Sequence, residues 1–301
     1  MSTVRIGVDL GGTKIEAIAL DSNGQTLARQ RVATPQGDYA ATLQAVVDLV
    51  TGIECQLGVR GSVGVGTPGA LSPVTGVIKN ANSTCLNGKP LDHDLAIALG
   101  RAVRIANDAD CFALSEATDG AAAGAPIVFG VILGTGVGGG IVVNGRVLAG
   151  PNAIAGEWGH NPLPWPQADE LPGRSCYCGK TGCIETWLSG PGLAADHLVV
   201  TGHLLTAHDI AQQAAQSDVL CVATIQRYEE RLARALASVI NILDPHAIVL
   251  GGGLSNMRSL YDGVPRIWGH HVFSDHVNTR LVHALHGDSS GVRGAAWLGS
   301  V

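Results

Sequence analysis

The sequence predicts a mixed α/β protein of two lobes. Three observations predict it: enough apolar chain for two cores, strands that run into glycine turns, and a strand–turn–strand pattern that occurs twice. The 301 residues are 46% hydrophobic and 15% charged, a composition that buries well and excludes disordered or fibrous chains. Val4 to Leu10 is alternating and β-branched, meets Gly11-Gly12, resumes as Ile15 to Leu20 and stops at Asp21-Ser22-Asn23-Gly24. This reads as a hairpin opening a sheet. Tyr39 to Thr51 has apolar residues at helical spacing, Ser62 to Gly66 reads as a strand, Leu91 to Leu99 as a helix and Val103 to Ala106 as a strand. The pattern restarts near Pro126, with strand Ile127 to Leu133, a glycine-rich turn from Gly134 to Gly140, and strand Ile141 to Val143 closed by Asn144-Gly145. An amphipathic helix, roughly Val219 to Leu243, then precedes strand Ala247 to Leu250 and Gly251-Gly252-Gly253. Its apolar face leaves room for a homodimer interface. No low-complexity linker separates the halves, so a rigid hinge is expected.

The net charge of −6, with Lys and Arg scattered, gives no basic stripe to replace the counterions of a nucleic acid. The N-terminal MSTVRIGVDLGGTK has no apolar run with a cleavage site, and no segment approaches about eighteen uninterrupted apolar residues. A cytoplasmic protein without membrane or nucleic-acid partners is expected. Of seven cysteines, Cys55, Cys85, Cys111 and Cys221 are isolated, whereas Cys176, Cys178 and Cys183 cluster. In such a chain the cluster points to metal rather than disulfide.

Three glycine turns carry the chemistry. Asp9-Leu10-Gly11-Gly12-Thr13-Lys14 sets a carboxylate at a strand end, then two glycines that let backbone approach a phosphate, then a hydroxyl and an ammonium. One such turn alone is more often a plain hairpin, and this one is neither a Walker A nor a Rossmann sequence. Gly134-Thr135-Gly136 offers further N–H donors, and Gly252-Gly253 follows a strand where an adenosine could lie on bare backbone. Asn107-Asp108, just past a strand, pairs an amide that can orient hydroxyls with a carboxylate that can accept a proton, although the same pair suits a helix cap. Cys176-x-Cys178-x₄-Cys183 supplies three soft ligands and His160 a fourth, which closes a tetrahedral site and gives zinc a structural role.

Asp9 to Lys14, Gly134 to Gly140 and Asp244 to Gly253 resemble the phosphate and adenosine motifs of the ROK (repressor, open reading frame, kinase) family of sugar kinases. The resemblance spans nearly the whole chain and implies the actin-like, ribonuclease-H-like ATPase fold. The expected lobes are residues 1–115, with a helix of about 288–301 returning to them, and 116–287. The resemblance implies ATP with Mg²⁺ held by Asp9. Gly11, Gly12, Thr13, Lys14, Gly134, Thr135 and Gly136 would lie near the triphosphate, and Gly252 and Gly253 near the adenosine. Asp108 is then the catalytic base, and Asn107, Glu157, His160, Glu185, Pro68 and Gly69 are the sugar contacts, with His160 serving zinc through one ring nitrogen and the sugar through the other. The 15 residues between His160 and Cys176 make a longer loop than many relatives carry, and Cys85 stands where relatives tend to have tryptophan. Lys79 to Thr84, Asn161 to Trp165 and His286 to Ala296 are similar to the fructokinase and mannokinase branch. Fructose to fructose 6-phosphate is therefore the expected reaction, with mannose or glucose as poorer substrates and N-acetylglucosamine kinase as the alternative. A sugar-responsive regulator, the other class in the family, is disfavoured because the first strand begins at Val4, without room for a DNA-binding domain.

Overall fold

The structure, a computed structural model, describes residues 4–299. Residues 1–3 of the expected first lobe and 300–301 of the expected last helix lie outside the described residues. The chain forms two compact units. The first holds the chain up to Gly124, Gly140–Ala155 and the stretch from Leu285; the second holds Ala125–Gly139 and Gly156–Ala284.

The first unit opens with the expected hairpin, β1 (Arg5–Leu10) and β2 (Lys14–Leu20), extended by β3 (Thr26–Ala33). Next come α1 (Tyr39–Leu57), β4 (Ser62–Thr67), the short hairpin β5 (Ala70–Leu71) and β6 (Ile78–Lys79), α2 (Leu91–Leu99), β7 (Val103–Asn107) and α3 (Asp108–Thr118). The sheet order is β3-β2-β1-β4-β7, antiparallel across the hairpin and parallel from β1 to β4 to β7. Its parallel strands therefore end together, placing Asp9, Thr67 and Asn107 at one edge, where α/β sheets present their ligand-binding side chains. Helix α1 starts on Asp38, whose carboxylate accepts from the Ala41 N–H, and buries the stripe Val46, Leu49, Val50 and Ile53 against the sheet. The C-terminal helix, labelled α9 below, packs on the other face. A Cβ on Gly7 would collide with the Val292 carbonyl and one on Gly64 with that of Ala295, so these glycines are there for close helix–strand contact.

The second unit is built on β8 (Ile127–Leu133) and β9 (Val137–Val143), in a sheet of order β10-β9-β8-β11-β12. Strand β9 carries the chain into the first unit, where β10 (Arg146–Val147) pairs with it. Helices α4 (Glu185–Leu188), α5 (Gly190–Thr201), α6 (Ala207–Ala215) and α7 (Val219–Leu243) follow. The unit closes with β11 (Ala247–Gly251), α8 (Ser259–Trp268) and β12 (Arg280–His283), and α9 (Ser290–Leu298) ends the described chain in the first unit. The expected division at 115/116 falls inside α3, which packs against α9 in the same unit. The glycine-rich stretch expected as one turn to Gly140 is a turn only to Gly136; from Val137 it is strand. A Cβ on Gly139 would stand 2.7 Å from the Gly156 carbonyl and 2.8 Å from the Trp158 ring, so that glycine admits a neighbour rather than a bend. Among the described residues no helix is long and apolar enough to cross a membrane.

Candidate active site

In the first unit the turn joining β1 to β2 is tied back by its carbonyls. Thr34 donates its N–H to Thr13 O at 3.0 Å and its hydroxyl to Gly11 O at 2.7 Å, while the Gln36 amide reaches Gly12 O at 3.5 Å. Carbonyls turned into the protein leave the opposite side of the turn suited to an anion. Asp9 lies beside it. Burial pushes its carboxyl from an ordinary 3.8 to about 6, the carboxylates of Asp108 and Glu16 add to this, and Lys14 works against it. Glu16 is buried and paired by Arg29 and Arg31, the latter at 2.6 Å, so Asp9 with Asp108 forms the acidic spot that a divalent cation, bound through water, would offset.

Linkage gives Asp9 a testable signature. Because its folded pKa is raised, Asp9 favours folding most below about pH 4, and that contribution is lost as pH rises through about 6. Asp9→Asn is therefore expected to raise the melting temperature at pH 8 and leave it nearly unchanged at pH 3.5, as calorimetry at the two pH values would show.

Asn107 caps α3, its Oδ1 accepting from the Ala109 N–H at 2.9 Å, while its Nδ2 donates to Gly69 O at 3.0 Å. The helix-cap reading of this residue is thus realised, and the cap fixes the amide against the Pro68-Gly69 loop. Gly69 has a φ of +76°, and a Cβ on it would collide with the Lys79 carbonyl, so only glycine fits the turn. Asp108, the first helical residue, is exposed and its Oδ1 accepts from the Ala109 N–H at 2.8 Å. Cys85 is half-buried on the turn Thr84–Leu86, packed against the core of this unit.

In the second unit a cavity of about 1100 Å³ is lined by Gly134 and Thr135 from one glycine turn, Gly253 from another, Gly190 and Pro191 at the start of α5, and faces of α6 and α7. The size suits a nucleotide, and the α5 N-terminus favours negative charge. Gly252, at φ +80°, packs under this turn, where a Cβ would collide with the Leu133 carbonyl. Glu185 Oε2 accepts the Val137 N–H at 2.9 Å. Glu157 is exposed at the head of the turn Trp158–His160. That turn is anchored by Trp158, buried edge-on to Phe129 and donating its indole N–H to Gly138 O at 3.1 Å.

His160, Cys176, Cys178 and Cys183 come together with all ligand atoms within 4.8 Å of one another. Zinc bonds of about 2.3 Å to sulfur and 2.0 Å to nitrogen set tetrahedral edges of about 3.8 Å for S···S and about 3.5 Å for S···N. The Cys178–Cys183 sulfurs are 3.6 Å apart, and Cys176 Sγ is 3.5 Å from His160 Nδ1. Burial, then the Cys178 and Cys176 thiols, push Cys183 up to about 12, crowding that a soft cation would relieve. The four residues fit the metal. The other ring nitrogen of His160, Nε2, lies 3.0 Å from the hydroxyl of the exposed Tyr177, a hydrogen-bond partner outside the cluster that would help to orient a metal-bound imidazole.

The long loop between His160 and Cys176 is pinned rather than free. Glu170 accepts from Arg231 and Arg234 of α7 at 2.7 Å each, and Arg234 also donates to the carbonyls of Pro164 and Trp165. Asp196 pairs with Arg227 and Arg231, both at 2.8 Å. The guanidinium groups of Arg174 and Arg231 lie 4.2 and 4.6 Å from the centre of the Trp187 ring. Tyr177 and this ion network are the members of the site that residue patterns did not point to.

Comparison with known proteins places the chain. It is 43% identical over 296 residues to the N-acetyl-D-glucosamine kinase of Yersinia pseudotuberculosis, covering 97% of each chain. A ROK hexokinase from Thermus thermophilus superposes with a TM-score of 0.86 at 31% identity, over 98% of this chain and 97% of the other. A ROK glucokinase from Streptomyces griseus, crystallised with glucose and AMPPNP, gives 0.76 at 27% identity over 98% of each chain. The fold is the two-lobed actin-like ATPase fold that the sequence predicts. The model of the ROK family matches residues 5–300, and the chain belongs to that family.

Proposed function

We propose that the chain is an ATP-dependent N-acetylglucosamine kinase that makes N-acetylglucosamine 6-phosphate. The observation that carries the reading is the likeness to the Yersinia enzyme, sustained over nearly the full length of both chains. It favours the alternative substrate, N-acetylglucosamine, over the expected fructose. The loops that suggested fructose are short segments, whereas the kinship with N-acetylglucosamine kinases is spread along the whole chain.

In this reading Asn107, Glu157, His160, Glu185, Pro68 and Gly69 orient the sugar. Gly11, Gly12, Thr13, Lys14 and Gly134 to Gly136 meet the triphosphate, and Gly252-Gly253 the adenosine, consistent with the cavity that the second and third glycine turns share. Asp9 would hold Mg²⁺, which supplies charge neutralisation at the phosphates. The 6-hydroxyl oxygen attacks the γ-phosphorus, ADP leaves, and the hydroxyl proton passes to Asp108. The transition state of such transfers is loose, so the carboxylate orients the oxygen early and takes its proton late. The product test is direct: phosphorus NMR of a reaction with ATP and N-acetylglucosamine should show the new phosphate coupled to the two protons on C6. Coupling to any other sugar proton would refute the assignment.

The cluster of His160, Cys176, Cys178 and Cys183 would take zinc in a structural role, since four protein ligands leave no open position. Metal analysis of the purified protein should find about one zinc per chain, and a strong chelator should lower the melting temperature as zinc leaves. Protein free of zinc with unchanged stability would rule the site out.

A further inference from the structure

We propose that Glu185, besides the sugar contact expected of it, is a positioning residue for the nucleotide, its carboxylate fixing the Gly134–Gly136 turn. The proposal rests on the ATP reading above and on the geometry of the second unit. Glu185 Oε2 accepts the Val137 N–H, the first of β9 after the turn, at 2.9 Å. The Gly190 N–H donates to Gly134 O at 2.8 Å. The short stretch Glu185–Gly190 thereby grips the turn at both ends, and between the grips Gly134 N–H closes on Gly136 O at 3.0 Å. Gly136 itself has no left-handed backbone to explain its glycine. A Cβ there would stand 2.7 Å from Glu185 Oε2, so its missing side chain is the room the carboxylate occupies.

A glycine turn has more conformations to lose than other backbone, and a phosphate cradle needs one of them. When the protein selects that conformation in advance, the selection no longer weakens ligand binding. Glu185 is itself held firmly: Cys183 is two residues away, and the Ile184 N–H donates to Asn161 O at 2.9 Å. Whatever orders the cysteine knuckle therefore orders the phosphate turn. The acceptor, not the charge, does the holding, since a negative charge beside a triphosphate is repulsive.

The test is calorimetric binding of Mg²⁺-AMPPNP without sugar, which keeps any direct sugar role of Glu185 out of the measurement. Glu185→Ala is expected to weaken binding about tenfold, the order of one ordinary hydrogen bond. Glu185→Gln keeps an acceptor and should stay within about twofold of wild type. Gly136→Ala should weaken binding alone yet add little to Glu185→Ala, because the clash it creates has gone. Unchanged affinity in Glu185→Ala, or additive effects of the two substitutions, would overturn the proposal while leaving the ATP reading intact. A wild-type protein that binds no nucleotide would overturn both.

Discussion

Asp108→Asn is expected to lower kcat by about 10³-fold, the contribution of a positioned proton acceptor, with sugar affinity held within about threefold. The two side chains are nearly the same shape, and the amide oxygen can still accept the Ala109 N–H that Asp108 Oδ1 now accepts at 2.8 Å. The start of α3 and the Asn107 cap should therefore survive. What the amide cannot do is take the proton released as the sugar oxygen bonds to phosphorus. Parallel measurements of kcat and of sugar binding by calorimetry separate the roles. A fall in both would make Asp108 a sugar ligand first, and near-normal kcat would remove it as the base. Asp9→Asn is expected to give a contrasting pattern: if Asp9 holds the cation as proposed, its loss should raise the demand for Mg²⁺.

Glu170→Ala is expected to destabilise the protein by about 3–5 kcal/mol, the usual result of removing one partner from a buried ion group. It would leave Arg231 with Asp196 as its remaining carboxylate and Arg234 with the Pro164 and Trp165 carbonyls, both guanidinium groups being nearly inaccessible to solvent, and release the loop that leads to the cysteine knuckle. Urea unfolding of the variant measures the loss; a change under about 1 kcal/mol would mean that the network is dispensable. The pH dependence has a definite sign. Burial alone would raise the Glu170 pKa, but Arg234, the Gln167 N–H and Arg231 outweigh it and hold the carboxyl below its ordinary 4.5. The stability it confers is present above that ordinary value and is lost as pH falls through the lowered one. Wild type and Glu170→Ala should therefore converge in stability in strong acid.

Much of the scaffold was legible because its elements are local. Leu91–Leu99 and Ile127–Leu133 occur with the expected bounds, since each is a short apolar pattern ended by turn chemistry. Helix α3 escaped periodicity because it is buried on nearly every face and shows no stripe. Gly138 to Gly140 read as a turn because nothing local says that the missing side chain of Gly139 makes way for Gly156 and Trp158, or that of Gly140 for Ala109. The Cys/His cluster was legible since soft ligands at close spacing have few other uses. The Glu170 network, joining residues 61 to 64 positions apart, was not, nor was the partner of His160 Nε2. The sugar was legible least of all, because one hexose differs from another by a group or two, recognised by loops that the sequence does not place.

Competition between sugars decides which one the enzyme takes. With equal N-acetylglucosamine and fructose and limiting ATP, the product ratio reports the ratio of kcat/KM values. N-acetylglucosamine 6-phosphate is expected as nearly all the product. Fructose 6-phosphate as the main product would contradict it.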